Sequence, residues 1–183
     1  MESLRGKLLI ASPSILDPHF RQTVVLLAEH TEEGAMGVVL NREANVTVGE
    51  AVPDLAYLAG GDDAVVHFGG PVSANAVTVL ARFSDPRRAA LLIEEDVGFV
   101  PAEAADGEDL SDAVLYSRVF AGHAGWGAGQ LEAEMEEESW IVAEPRREDV
   151  FTDDPERLWS SVLRRKGGAY TLIATMPPDP SLN

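Results

Sequence analysis

Three short apolar runs near the amino terminus, at residues 6–11, 23–29 and 35–40, constrain this chain more than any other feature. Each is rich in Leu, Ile and Val and too short for a helix, so each predicts a β-strand. Ser12-Pro13 and Asp17-Pro18 bias the first connection toward turns, and Glu33-Gly34 turns the second. Connections this short predict a three-strand antiparallel arrangement. Further along, Thr47 is placed to cap a short helix through Ala51, and 64–68, 76–83 and 114–121 read as strands. The least legible stretch is 84–113. There, 91–93 fits a strand or the end of a helical turn, 97–100 a short strand, and 101–112 is acidic and turn-rich.

Two helices are better defined. One covers about 128–138, with Leu131 and Met135 on one face. Glu132, Glu134, Glu136, Glu137 and Glu138 make up its solvated remainder. In the other, Asp154 is the cap, Pro155 opens the first turn, and Leu158, Trp159, Val162 and Leu163 form an apolar stripe. Trp159 reads as core. Arg164-Arg165-Lys166 closes the last turn against the helix dipole, and Gly167 stops it. Residues 169–175 suggest a final strand, and 177–180 a tail without helix.

Composition narrows the function classes. The 183 residues contain no cysteine, which removes disulfides, thiolate catalysis and zinc–thiolate sites together. No apolar run is long enough to span a bilayer, and residues 1–10 lack the apolar core of a signal peptide. Cytoplasmic residence and no membrane contact are therefore expected. The net charge is −17. A chain that grips DNA needs a basic face to displace counterions, and the only compact basic cluster longer than a pair is Arg164–Lys166, so direct nucleic-acid binding is disfavoured.

The segment from Gly122 to Glu132 holds four glycines and Trp126 within eight residues, between an apolar run and a helix. Such a strand–loop–helix junction is either a tight turn plugged by a core tryptophan or a cradle for an anion or small ligand. Other candidate chemistry is weaker. His19, His30, His67 and His123 are the only nitrogen ligands, and none forms a helical i, i+4 pair, so no metal or other cofactor is expected. Ser12, His30 and Asp17 could supply a hydroxyl, a base and an orienter, but no nucleophile elbow is present. Glu29-His30 reads better as a hydrogen-bonded structural pair. Neither Gly69-Gly70-Pro71-Val72 nor Gly125–Gly129 matches a nucleotide-binding loop. A shared polar cleft is more attractive. Asn41 and Arg42 follow a strand, Gly69, Gly70 and Pro71 join two strands, and Gly125, Trp126, Gln130 and Glu132 open a helix. If these ends converge, Arg42 can hold a carboxylate or phosphate, or it can pair with the acidic surface.

Motifs in order along the chain make a family resemblance. They are Gly6–Pro13 (GKLLIASP), Asp17-Pro18-His19-Phe20, Thr23–Leu27, Glu29-His30, Gly34–Arg42 (GAMGVVLNR), Gly69-Gly70-Pro71-Val72, the glycine–tryptophan segment, Gln130-Leu131-Glu132 and Trp140. With them the chain resembles the YqgE/AlgH family of bacterial proteins over nearly its whole length. The resemblance implies one domain over 1–183. The implied fold is α+β, with a mixed, largely antiparallel, strongly bent sheet and a few covering helices. It implies no established activity, although some members are named as transcriptional regulators. Three positions depart from the family's pattern: Glu43 replaces the usual proline, His123 stands where tyrosine is common, and 84–113 lacks the longer helical connection. The expected function is that of a regulatory or binding protein acting through a small ligand or protein partner, as a monomer or weak homo-oligomer. An undescribed hydrolase or transferase using the polar cleft is the alternative, and a direct DNA-binding regulator comes third.

Overall fold

The computed structural model describes residues 2–178, so of the tail expected at 177–180 the last two residues lie outside the described residues. Two compact units divide the chain: 1–42 with 124–183, and 43–123. We call them the first and second units.

The strands of the first unit are β1 (Leu8–Ala11), β2 (Val24–Thr31) and β3 (Gly34–Val39). The second unit begins with β4 (Glu43–Thr47), followed by the short helices α1 (Val48–Ala51) and α2 (Ala56–Ala59). It continues with β5 (Val65–Phe68), β6 (Val72–Phe83), β7 (Leu91–Glu94) and β8 (Val97–Phe99). Strand β9 (Val114–Gly127) then runs from the second unit into the first. The first unit finishes with α3 (Gln130–Glu136), β10 (Trp140–Ala143), α4 (Arg147–Val150), α5 (Pro155–Lys166) and α6 (Tyr170–Ile173).

The three amino-terminal strands form the expected antiparallel set. Leu9 lies opposite Val25, and Leu26 opposite Val38. Strand β10 adds to the free edge of β1, and the end of β9 pairs with β3, giving the order β10-β1-β2-β3-β9. One face of this sheet buries Leu9, Val25, Leu27, Val39, Trp126 and Trp140 with Leu131 of α3. In the second unit β6 pairs antiparallel with β8 and β9, β7 with β8, and β4 with β5. Among the described residues only β5 and β9 pair in parallel. A separate core of Val48, Leu55, Val66, Val79, Leu110 and Val119 fills this unit. The fold is thus α+β with a largely antiparallel sheet.

Local chemistry explains the helices. Thr47 and Glu50 form a reciprocal capping box at α1. Asp154 accepts from the Arg157 N–H at the start of α5, and the stripe of Leu158, Trp159, Val162 and Leu163 is buried. The doubtful run at 91–93 is a strand.

Two expectations fail. Residues 169–175 are not a strand. They form α6, with the Ala174 N–H donating to the Tyr170 carbonyl at 2.9 Å. Gly167 and Gly168, both at positive φ, reverse the chain after α5, and the edge of β1 is already taken by β10. The glycine-rich segment is not a loop either. Residues 122–127 continue β9, and only Ala128-Gly129 turns into α3. Close approach requires glycine at Gly122 (φ 72°), where a Cβ would strike the Gly70 carbonyl, and on the neighbouring β3 at Gly34 (φ 140°), where one would strike the Trp126 carbonyl.

Candidate functional site

Most residues marked out by the sequence are tied into local hydrogen-bond networks. Around α3, the Trp126 indole N–H donates to Glu134 Oε2 at 2.9 Å, and the Trp140 indole N–H donates to the same oxygen at 2.8 Å. Gln130 donates to Glu134 Oε1 at 2.9 Å and accepts from the Gly127 N–H at 3.0 Å. Phe20 completes an aromatic cluster, with ring centroids 6.4 Å from Trp126 and 6.0 Å from Trp140. Glu134, expected in solvent, is therefore the acceptor that holds two buried indoles. Gly125 lies in the strand, opposite Met36.

His30 bonds across to Glu132 rather than to Glu29. Glu29 is exposed on the opposite face of β2, because successive side chains of a strand alternate. The Leu4 N–H donates to His30 Nδ1 at 3.0 Å, so Nε2 carries the proton and donates to Glu132 at 2.9 Å. Hydrogen bonds from its own backbone N–H and from His30 hold the Glu132 carboxyl below its usual range. Both nitrogens of His30 are thus occupied. Ser12 Oγ meets Ser14 Oγ at 2.6 Å, and Asp17 Oδ1 accepts from the His19 N–H at 2.8 Å. Ser12, Asp17 and His30 each have partners outside the trio.

Asn41 is a buried clamp. Its Oδ1 accepts from the Val24 N–H and its amide donates to the Gln22 carbonyl, both at 2.9 Å. Arg42 donates to the carbonyls of Asn41 and Arg21. No carboxylate among the described residues pairs with it, and burial followed by the like charge of Arg21 holds its guanidinium below the ordinary arginine value. Gly69, Gly70 and Pro71 belong to the second unit. Gly69 donates its N–H to the Ala121 carbonyl at 2.8 Å.

Two features go beyond what the sequence leads one to expect. The first is a cavity of about 300 Å³ in the first unit. Ile15, Leu16, Trp159 and Met176 make its apolar wall, with Ser12 and Arg21 as polar members. Trp159 is both core and lining: it is buried, and its indole N–H donates to the Ala11 carbonyl at 2.8 Å. Gln22 ties the far wall down by donating to the Met176 carbonyl at 3.0 Å. The only advance signal was Ser12-Pro13 after a strand. A lone arginine such as Arg21 shows nothing in sequence of whether it finds a partner. The second feature is His67 in the second unit. It is 4% exposed beside Phe120, and neither ring nitrogen reaches a partner at good hydrogen-bond geometry among the described residues. Burial first, then the charge of Arg118, lowers its pKa to about 4, so the ring is neutral at pH 7.

Among the described residues no three His, Asp or Glu side chains converge as metal ligands. None of their helices is long and apolar enough to cross a membrane.

Comparison with known proteins accounts for this architecture. An AlgH-like family model matches residues 8–171. A UPF0301 protein of Streptomyces coelicolor is 47% identical over 189 residues, covering 100% of this chain and 97% of its own length. One from Chlorobaculum tepidum is 41% identical over 187 residues, covering 97% of this chain and 95% of its own. A crystal structure of a Corynebacterium diphtheriae protein superposes with a TM-score of 0.85 at 29% identity, over 96% of this chain and 94% of that one. The solution structure of the AlgH protein from Pseudomonas aeruginosa gives 0.68 at 29% identity, over 96% and 95%. With a family model over most of its length and full-length relatives at this identity, the chain belongs to the AlgH-like family.

Proposed function

We propose that this protein works by binding: it is a regulatory or binding protein that acts through a small ligand or a protein partner. The cytoplasmic location expected from its cysteine-free composition belongs to the same proposal. One contrast carries the reading. The polar side chains that could do chemistry (His30, Glu132, Glu134, Gln130) spend their hydrogen bonds on one another and on the scaffold. The cavity beside Trp159 instead presents apolar wall and the Arg21 side chain, for which no hydrogen bond or ion pair is found among the described residues. Few polar groups set in an apolar concavity suit recognition.

Native mass spectrometry of freshly purified protein tests this reading. A stoichiometric adduct of one small molecule, or one tightly held partner chain, is expected. A bare chain with neither would contradict it.

A further inference from the structure

We infer that the cavity of the first unit takes an amphipathic carboxylate, with its acyl or aryl body against Ile15, Leu16 and Trp159 and its carboxylate on the Arg21 guanidinium. This inference rests on the binding reading above and names the class of ligand. Three observations converge on it.

The first is charge. In this unit arginines commonly find acids: Arg165 pairs with Asp149, Arg157 with Asp154 and Arg146 with Glu148. Among the described residues Arg21 and Arg42 do not, although acidic residues outnumber basic ones by 31 to 14 in the chain. The two are adjacent, since Arg42 donates to the Arg21 carbonyl and feels its positive charge. Among the described residues no acidic side chain lines the cavity. The result is a local positive site on an acidic molecule, one that an anion would neutralise.

The second is shape. A volume of about 300 Å³ is at the small end for ligand sites and suits a chain of about ten carbons rather than a nucleotide or a peptide. The planar fork of one guanidinium without a side-chain partner among the described residues matches a carboxylate through two parallel hydrogen bonds. A dianion would meet stronger repulsion from a chain of net charge −17.

The third is the apolar lining. Leu16, 59% exposed, and Met176, 46% exposed, line the cavity. Apolar side chains exposed together beside an apolar cavity are area that a hydrocarbon chain would cover.

Decanoate and its neutral counterpart decanol are the probes, with binding followed by the emission of Trp159 and by calorimetry. Decanoate should bind at least about tenfold tighter than decanol. Arg21→Gln should erase that difference while leaving the melting temperature unchanged, because no side-chain partner is lost. Leu16→Asp, at an exposed position, provides a second variant and should weaken decanoate more than decanol. Equal affinity for the two probes, or no effect of Arg21→Gln, would overturn the ligand class while leaving a binding cavity in place. Failure of both probes to bind would also overturn it, and native mass spectrometry of the purified protein would then judge the binding reading separately.

Discussion

Glu134 shows how much a single side chain carries here. One carboxylate accepts from two indoles that are each at least nine-tenths buried, so its loss leaves two donors stranded. Glu134→Ala should cost roughly 2–4 kcal/mol, since each buried unpaired donor costs about 1–3. Glu134→Gln keeps an acceptor and should cost less. Trp126→Ala should cost about 3–5 kcal/mol, as for other emptied aromatic sites. Urea denaturation measures all three, and a loss within about 1 kcal/mol for Trp126→Ala would place the ring at a working surface instead. His67 sets a pH dependence. Its pKa is lowered from 6.5 to about 4 in the folded state, so between these values the unfolded chain binds more protons. Stability should therefore be full above pH 6.5, fall as the pH drops through that window, and have lost roughly 3 kcal/mol by about pH 4. His67→Leu should flatten this slope while leaving stability at pH 7 equal or higher. An unchanged slope in that variant would assign the acid sensitivity elsewhere.

At the scale of elements, the carboxyl end of α5 does more than offset a helix dipole. Arg165 grips Asp149 of α4 through two hydrogen bonds, of 2.8 and 2.6 Å, and the Asp149 side chain is 3% exposed. Asp149→Ala leaves the arginine without its partner and should cost about 3–5 kcal/mol. By contrast, removing the exposed Asp85–Arg87 pair should leave stability unchanged within the precision of the same denaturation measurement. The sequence made β1, β2, β3 and α5 legible because their signals are local: short apolar runs, a cap, a stripe, a stop. It hid β10, whose four residues are a strand through pairing with β1. Residues 122–127 read as a loop because glycine weakens strand propensity, yet at Gly122 the close Gly70 carbonyl requires glycine within the strand. Residues 169–175 read as a strand from their β-prone side chains, which the glycine reversal overrode. The candidate cavity was legible only at Ser12. Arg21, Gln22 and Trp159 come together from distant parts of the chain, and a missing partner leaves no mark in a sequence.

For the whole molecule, a net charge of −17 governs which partners can approach. Purified protein should show no specific duplex DNA binding at physiological salt, because a chain of net charge −17 with one short basic cluster supplies little counterion release. A gel shift with a dissociation constant below roughly 10⁻⁷ M would restore a direct regulator. The central claim is that the glycine–tryptophan corner is scaffold and the cavity beside Trp159 is where the molecule works. The three tryptophans report on both places, since Trp126 and Trp140 donate to Glu134 while Trp159 donates to the Ala11 carbonyl. Titrating ¹⁵N-labelled protein with decanoate and following the three indole N–H signals in NMR spectra, assigned by single Trp→Phe variants, tests this most directly. The Trp159 signal should shift to saturation while those of Trp126 and Trp140 stay in place. Movement of Trp126 and Trp140 with Trp159 unmoved would contradict the account.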